Sequence, residues 1–351
     1  MGLLRLLVLC LPLVVWAADY PPVRPGVPLS LPEDHGAHPR YRTEWWYVTG
    51  WLRDGEGGER GFQITFFRAR TGIGEATPGR FSPAQLIFAH AAIADPASGR
   101  LRHDQRSARA SGRLAGSATG RLDAWLGPWV LRAEGDGFVA RAAGDGFALD
   151  LRLDPRAAPM PNGADGYSQK GPEPRHASYY YSLPALAVTG EITLDGSAIP
   201  VSGEAWMDHE WSSELMPESA VGWDWVGLNL ADGGAAMAFR MRDAEGRVVW
   251  AGGTLRAADG QARALSPPEV EFAPRRRWTS PRSGAEYPVE WDIRLADRQL
   301  RLTPLMDDQE LDARASTGAV YWEGAVRAFD GETPVGRGYL EMTGYTERLR
   351  M

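Results

Sequence analysis

The chain has 351 residues, of which 44% are apolar and 24% are charged, and its net charge is −7 at neutral pH. This composition is typical of a globular protein, and the length is too great for one ordinary hydrophobic core but suits two. The longest basic run is only Arg275-Arg276-Arg277, so the sequence lacks the basic stripe that a nucleic-acid-binding protein needs.

The N-terminus has the pattern of a cleaved secretory signal peptide that covers residues 1–17. Arg5 supplies the positive charge, residues 6–15 form a short apolar segment, and the small residue Ala17 suits cleavage. The apolar segment is too short to span a membrane comfortably. We therefore expect an exported bacterial protein, periplasmic or secreted, whose only cysteine, Cys10, is removed with the signal.

The next segments predict a leader followed by many strands. Residues 18–40 are rich in proline and histidine and predict an extended leader. Further on, strict alternation places Phe62, Ile64 and Phe66 on one face of a strand. Between residues 112 and 154, short β-patterns recur about every ten residues and are separated by Gly-Asp-Gly turns, which is the rhythm of a meander or barrel.

The second half of the chain repeats this style. A hairpin pattern that begins at Trp46 can be aligned with one that begins at Trp225, which favours two copies of one β-domain. A chance similarity between two ordinary hairpins is the alternative. We predict an all-β protein with an N-terminal domain at residues 41–190 and a C-terminal domain at residues 191–351.

The densest group of polar and aromatic residues contains Asp208, His209, Glu210 and Trp211. In an extended chain, Asp208 and Glu210 point to one face, and His209 and Trp211 point to the other. Such groups could transfer a proton and stabilise a cation against an indole face. Asp208, His209, Glu210 and the later Asp224 are therefore candidate acid–base groups. A histidine that is only hydrogen-bonded at a strand end is the alternative for His209.

Two aromatic runs, which begin at Glu44 and at Gly222, suggest the walls of a core or a pocket. Glu44 stands beside two indoles and would be costly if it were buried unpaired. We predict a structural ion pair between it and Arg42, Arg68 or Arg70, and a catalytic acid is the alternative for Glu44. The candidate ligand-binding aromatic residues are Trp45, Trp46, Tyr47, Tyr180, Trp206, Trp211, Trp223 and Trp225.

Neither a metal nor a cofactor is predicted. The histidines are scattered and have no His-Glu-x-x-His spacing, so a set of three zinc ligands could be assembled only by folding. The sequence also has no Gly-x-Ser-x-Gly elbow of a serine hydrolase and no glycine-rich phosphate loop.

Five motifs occur in order at residues 44–50, 166–172, 177–182, 208–211 and 338–345. Together they resemble the lipocalin-like AttH/carotenoid 1,2-hydratase family, and in particular its exported branch of secreted hydrolases. The resemblance runs from about residue 30 to the C-terminus. It implies two lipocalin-like antiparallel β-barrel domains packed together, with an apolar cavity near their junction. Barrels of this size can hold one apolar ligand.

In the hydratase branch, the resemblance implies an aspartate that protonates a terminal isoprenoid double bond before water adds to the tertiary cation. Such an acid must stay protonated in a desolvated site. His209 and Trp211 match the His-x-Trp pair of that branch, whereas the return strand at residues 236–242 lacks its Tyr and Asp. We therefore expect a protein that binds a lipid or isoprenoid. A hydratase or hydrolase acting through residues 208–211 is one alternative, and an assembly factor that contacts an envelope protein is another.

Three structural expectations separate these alternatives. If the protein is a carrier, we expect an apolar cavity whose polar groups already have hydrogen-bond partners. An enzyme predicts that His209 opens to the cavity beside an acid whose environment raises its pKa. An assembly factor predicts an exposed aromatic patch instead.

Overall fold

The computed structural model describes residues 19–75 and 82–349, so the predicted signal peptide lies outside the described residues. The described residues form strands, turns and three 3-10 helices, Glu33–His35, Pro96–Ser98 and Pro267–Glu269, and contain no α-helix. The prediction of an all-β fold is therefore confirmed. None of the helical segments in these ranges has the length and hydrophobicity that crossing a membrane requires.

The first antiparallel sheet has thirteen strands in the order β4-β3-β2-β1-β13-β12-β9-β8-β7-β6-β5, and β10 and β11 pair with β12. Strand β4 contacts β5, β6 and β8, so the two edges approach each other and the sheet is nearly closed into a barrel. The strands are β1 (Thr43–Asp54), β2 (Glu59–Arg70), β3 (Gln85–Asp95), β4 (Arg100–Arg109), β5 (Ala115–Ser117), β6 (Asp123–Leu126), β7 (Trp129–Glu134), β8 (Gly137–Gly144), β9 (Phe147–Pro155), β10 (Met160–Pro161), β11 (Tyr167–Gln169), β12 (Ala177–Leu194) and β13 (Ser197–Glu214).

The second antiparallel sheet has ten strands in the order β17-β16-β15-β14-β23-β22-β20-β19-β18, and β21 pairs with β22. The strands are β14 (Gly222–Leu230), β15 (Ala235–Arg242), β16 (Val248–Arg256), β17 (Ala262–Leu265), β18 (Val270–Thr279), β19 (Glu286–Leu295), β20 (Arg298–Pro304), β21 (Glu310–Ala313), β22 (Ala319–Asp330) and β23 (Thr333–Met342).

The two sheets share a pattern of strand pairing. In each sheet the first strand pairs with the strand that follows it and also with the last strand: β1 pairs with β2 and β13, and β14 pairs with β15 and β23. The two aligned hairpins of the sequence are the β1–β2 and β14–β15 hairpins. The matched pairings are what a duplicated β-unit would give.

The chain leaves the first sheet after Glu214 and enters the second sheet at Gly222. The predicted domain boundary between residues 190 and 191 lies inside β12, which continues to Leu194 and pairs with β13 of the same sheet. The chain therefore changes sheets later than predicted, after it has completed β13. The division into two domains stays a prediction.

Side-chain alternation explains where the cores lie. Phe62, Ile64 and Phe66 of β2 all point into the core of the first sheet, as predicted. Their neighbours Gln63 and Thr65 point the other way and are buried as well. Both faces of β2 are covered because the second sheet packs against the outer face of the first, and this packing creates the space between the sheets.

A third apolar cluster joins the two sheets. It contains Tyr47 and Trp51 from β1, Trp206 from β13, and Trp225 and Phe239 from the second sheet. The indole N–H of Trp51 donates a hydrogen bond of 3.0 Å to the carbonyl oxygen of Gly338 across this contact. Large aromatic side chains thus fix the spacing of the sheets on either side of the cavity described next.

Candidate functional site

A cavity of about 410 Å³ lies between the two sheets. Strands β1, β2 and β13 form one wall, and strands β14, β15, β22 and β23 form the other. Most of the wall is apolar, which suits a ligand of low polarity. Its main aromatic residues are Trp45, Tyr47, Phe67, Trp223, Trp225 and Phe239.

Four carboxyl groups interrupt this apolar wall: Asp208, Glu210, Glu323 and Glu341. Asp208 and Glu210 are two residues apart on β13, so alternation brings both to the same face, as the sequence predicted. Glu323 and Glu341 are direct cross-strand partners on β22 and β23. Such partners have Cβ atoms about 5 Å apart. The two pairs come from opposite sheets and converge on one cavity.

Asp208 is held by three hydrogen-bond donors. Its Oδ2 accepts from the Tyr180 hydroxyl at 2.6 Å, and its Oδ1 accepts from the Ser182 hydroxyl at 2.6 Å and from the Trp206 indole at 2.7 Å. Burial raises the pKa of Asp208 to about 7, although the three donors favour the charged form. This carboxyl group can therefore accept or release a proton near neutral pH.

Glu341 has a single hydrogen-bond donor, the indole N–H of Trp223 at 2.9 Å. Glu341 is half-buried and lines the cavity, and the protein atoms around it displace part of its water. This burial raises the pKa of Glu341 to about 8, and the negative charges of Asp208 and Glu210 add to the effect. Glu341 is thus protonated at neutral pH.

Glu323 is the most deeply buried of the four, with 1% of its surface exposed. The Tyr47 hydroxyl donates a hydrogen bond to its Oε1. Its Oε2 has no hydrogen-bond partner among the described residues. Burial and the neighbouring charge of Glu341 hold the pKa of Glu323 well above its usual range.

Glu210 pairs with Lys170, a residue that sequence reasoning missed. The Lys170 Nζ lies 3.1 Å from Glu210 Oε1 and lies over the rings of Tyr180 and Phe239 at 4.6 and 4.1 Å. The pKa of Lys170 lies below its usual value, because burial lowers it more than the charge of Glu210 raises it. Lys170 belongs to a motif at residues 166–172, but nothing in that proline- and glycine-rich segment indicates a buried side chain.

The raised pKa of Glu341 predicts a pH-dependent gain in stability for Glu341→Gln. The group ionises near pH 4.5 in the unfolded chain and near pH 8 in the folded protein, so the folded protein binds more protons within this window. The stability that it contributes is present below about pH 4.5 and is lost as the pH rises to about 8. Glutamine carries no charge, so the variant should raise the Tm more at about pH 8.5 than at about pH 5, measured by thermal unfolding. An equal change in Tm at the two pH values would contradict the raised pKa of Glu341.

His209 does not line the cavity. It lies on the opposite face of β13 from Asp208, is fully buried, and stacks on Trp46 with ring centroids 4.8 Å apart. Its Nε2 lies 3.0 Å from Glu44 Oε1, and its Nδ1 lies 3.2 Å from the Tyr181 hydroxyl. Burial lowers the pKa of His209 to about 4. The alternation that turns Asp208 towards the cavity is what turns His209 away from it.

Glu44 forms an ion pair with Arg68, one of the three arginines considered for it. The Arg68 Nε donates to Glu44 Oε2 at 2.6 Å, and both side chains are buried. Burial alone would raise the pKa of Glu44, but hydrogen bonds from His209 and His38 and the charge of Arg68 hold it well below its usual range. This network supports the first core, and Arg68 also borders the cavity.

The same network contains a group of residues that could hold a metal ion. Atoms of His38, Glu44 and His209 lie within 4.8 Å of one another. Glu44 Oε1 lies within hydrogen-bond distance of both imidazoles, at 2.7 and 3.0 Å, and its other oxygen accepts from Arg68. A guanidinium beside the carboxylate favours a hydrogen-bonded network over a cation at this position.

The other predicted site residues divide by strand face. Trp45, Tyr47, Tyr180, Trp223 and Trp225 line the cavity. Trp46 and Trp211 lie in the first core, and Trp206 stands behind Asp208 in the contact between the sheets. Asp224 lies between Trp223 and Trp225 in sequence and therefore faces away from the cavity. It pairs there with Arg240 at 2.7 Å and accepts from the Tyr345 hydroxyl at 2.9 Å.

Sequence reasoning also missed Glu323 and Glu341. Glu341 lies within the motif at residues 338–345, whereas no motif contains Glu323. In both strands apolar residues next to the acid point into the second core. Because side chains alternate between the two faces of a strand, this pattern indicates that the acid lies on the face opposite that core.

The family of this chain follows from a match over most of its length. The family model of the AttH-like proteins matches residues 22–345. The chain belongs to the AttH-like family. The site described above is therefore the inter-sheet cavity of an AttH-like protein. No curated protein matches the chain.

Solved structures extend the comparison of this AttH-like chain. A protein from Nitrosomonas europaea assigned as an AttH is 47% identical, covers 93% of this chain and 99% of its own, and has a TM-score of 0.87. Kievitone hydratase from Nectria haematococca is 15% identical, covers 94% of this chain and 97% of its own, and has a TM-score of 0.70. CghA is 12% identical, covers 87% and 89%, and has a TM-score of 0.53. The last two share the fold of this chain.

Proposed function

We propose that this protein binds an apolar ligand, a lipid or isoprenoid, between its sheets and adds water to, or removes water from, a carbon–carbon double bond. One observation carries the proposal: Asp208 and Glu341 face the same apolar cavity, and burial raises their pKa values to about 7 and about 8. An acid and a base with pKa values near the working pH are what general acid–base catalysis needs.

In this mechanism, Glu341 gives its proton to one carbon of the double bond, and a tertiary carbocation forms at the other. The ring faces of Trp223 and Trp225 stabilise the positive charge. Asp208 takes a proton from a water molecule, whose oxygen forms the new C–O bond. Glu341 has then lost one proton and Asp208 has gained one, so a proton transfer between them restores the starting state. Dehydration follows the same steps in reverse.

The comparisons support this class of reaction without naming a substrate. Kievitone hydratase, which shares the fold, is by its name a hydratase. The motifs at residues 44–50 and 208–211 resemble those of the carotenoid hydratase branch. The proposed acid differs from the expected one, because Glu341 comes from β23 and not from the return strand at residues 236–242.

An isotope-exchange assay tests the proposal. Nerolidol, a tertiary isoprenoid alcohol, is incubated with the protein in H₂¹⁸O, because repeated dehydration and rehydration would replace its hydroxyl oxygen. We expect exchange at least tenfold above the rate without protein. The two acids must hold one proton between them, on Glu341 for hydration and on Asp208 for dehydration, so the rate should follow a bell-shaped pH profile with its maximum between about pH 7 and 8.

Mass spectrometry of the recovered alcohol measures the exchange, and Glu341→Gln serves as the matched variant. In D₂O the same cycle places deuterium on the carbon that Glu341 protonates, and this variant should abolish that uptake while the protein stays folded. A rate that depends on neither Glu341 nor pH would contradict the proposal.

A carrier is the second candidate, and the hydrogen bonds that Asp208 and Lys170 already make favour it. Asp208 already accepts three hydrogen bonds, and Lys170 is paired with Glu210. A lipid retained when the protein is purified from its own host, together with an absence of exchange for any isoprenoid alcohol, would favour carriage. In either role we propose that the protein acts outside the cytoplasm, after removal of residues 1–17.

The assembly-factor alternative lacks its expected surface in the described part of the chain. The large hydrophobic side chains exposed there are aliphatic and do not form an aromatic patch. These residues are Val27, Ile73, Leu114 and Val248.

A further inference from the structure

One polar atom at the cavity is left without a partner. Glu323 lines the cavity, has 1% of its surface exposed, and makes no hydrogen bond through Oε2 with any described residue. A buried polar atom without a partner is costly, and folded proteins contain few such atoms. The catalytic steps proposed above do not use Glu323. This oxygen itself has almost no accessible surface, so a ligand becomes its partner once the Glu323 side chain turns towards the cavity that it lines.

The charges around the cavity decide which kind of ligand group fits. Three of the lining cations are already neutralised: Lys170 by Glu210, Arg68 by Glu44 and Arg70 by Glu75. The fourth, Arg42, lies against the ring of Tyr20 at 6.0 Å. Three of the four lining cations therefore already have an acidic partner.

A ligand with a negative charge would give up its water in a site of low polarity, and lining cations that already have an acidic partner do not compensate for that cost. An uncharged oxygen meets no such penalty and can hydrogen-bond to a carboxyl group that carries its proton. Burial raises the pKa of Glu323 and so favours the protonated form, which has a hydroxyl group to donate.

We infer that Oε2 of Glu323 is the contact point for an uncharged oxygen of the ligand, a ketone, ester or alcohol, so that the cavity selects neutral oxygenated lipids over free fatty acids. The inference rests on the proposed function, because it names the substrate class of the same cavity. Glu323 is in this account a specificity residue, while Glu341 and Asp208 move the protons. The aromatic wall supplies the apolar contact, and Glu323 sets which end of the ligand lies next to β22.

Three probes with chains of equal length test the selection: tridecan-2-one, tridecane and tridecanoate. Binding is measured at about pH 7.5 by the change in tryptophan fluorescence, since Trp45, Trp223 and Trp225 line the cavity. We expect the ketone to bind at least tenfold more tightly than the alkane and the carboxylate. Tridecanoate binding as tightly as the ketone would overturn the inference.

Two variants of Glu323 connect the selection to this side chain. Glu323→Leu removes the polar group and should reduce ketone affinity to that of the alkane, whereas Glu323→Gln, whose amide can still donate a hydrogen bond, should retain the preference. Circular dichroism verifies that each variant is folded. If Glu323→Leu does not fold, the comparison of the three probes on the natural protein still decides. An unchanged preference in a folded Glu323→Leu variant would overturn the inference.

The outcome separates this inference from the proposed function. A preference for the ketone without oxygen exchange in nerolidol would remove the catalytic proposal and leave the selection intact. Oxygen exchange in nerolidol together with equal affinity for the ketone and the alkane would contradict the proposed selection and leave the catalytic proposal standing.

Discussion

Replacing Asp208 with asparagine should lower the rate of oxygen exchange by about 10²–10⁴-fold, the usual contribution of one positioned acid or base. Asparagine has nearly the same shape, and its carbonyl oxygen can still accept the hydrogen bonds from Ser182 and Trp206. It cannot take a proton from water near neutral pH, so the attacking water loses its base. The loss should lie in kcat, because the apolar contacts that bind the ligand remain.

A control for this variant is Asp150→Asn, which changes an acid paired with Arg141 at the surface of the first sheet. It should leave the exchange rate within a factor of two, an expectation that follows from its distance from the cavity wall. Retention of full activity by a folded Asp208→Asn variant would show that β13 does not supply the base.

Arg68→Met should destabilise the protein by about 3–5 kcal/mol, because it leaves the buried carboxylate of Glu44 without its counter-ion. Arg68 also donates to the carbonyl oxygens of His38 and Tyr41, which tie the leader to β1 and β2. Urea unfolding followed by tryptophan fluorescence measures the loss.

The matched control is Arg102→Met, whose partner Asp195 is exposed to solvent. Water screens that pair, so its removal should change the urea midpoint very little. If the two variants behaved alike, the Glu44–Arg68 pair would not be a main support of the first core.

The parts of this structure that follow from local sequence were predictable. Alternation placed Phe62, Ile64 and Phe66 in one core, and it placed Asp208 opposite His209 on the two faces of one strand. Such patterns depend only on the period of a strand. For the same reason, the ion pair of Glu44 could be expected from the cost of burying an acid beside two indoles.

The parts that depend on distant pairing were not predictable. Which face of β13 meets the cavity depends on the packing of the second sheet, and His209 therefore appeared as plausible a site residue as Asp208. Glu341 and Glu323 become functional candidates only when β22 and β23 pair and turn both acids toward β13. Lys170 reaches the cavity from a segment without periodicity, where sequence patterns carry little information about burial.

The ionisation of the two cavity acids is the central claim, and a carboxyl-carbon NMR titration measures it directly. The ¹³C signals of Asp208 and Glu341 can be assigned by their loss in Asp208→Asn and Glu341→Gln. We expect titration midpoints near 7 for Asp208 and near 8 for Glu341. Midpoints below about 5 for both groups, close to those of acids in water, would contradict it.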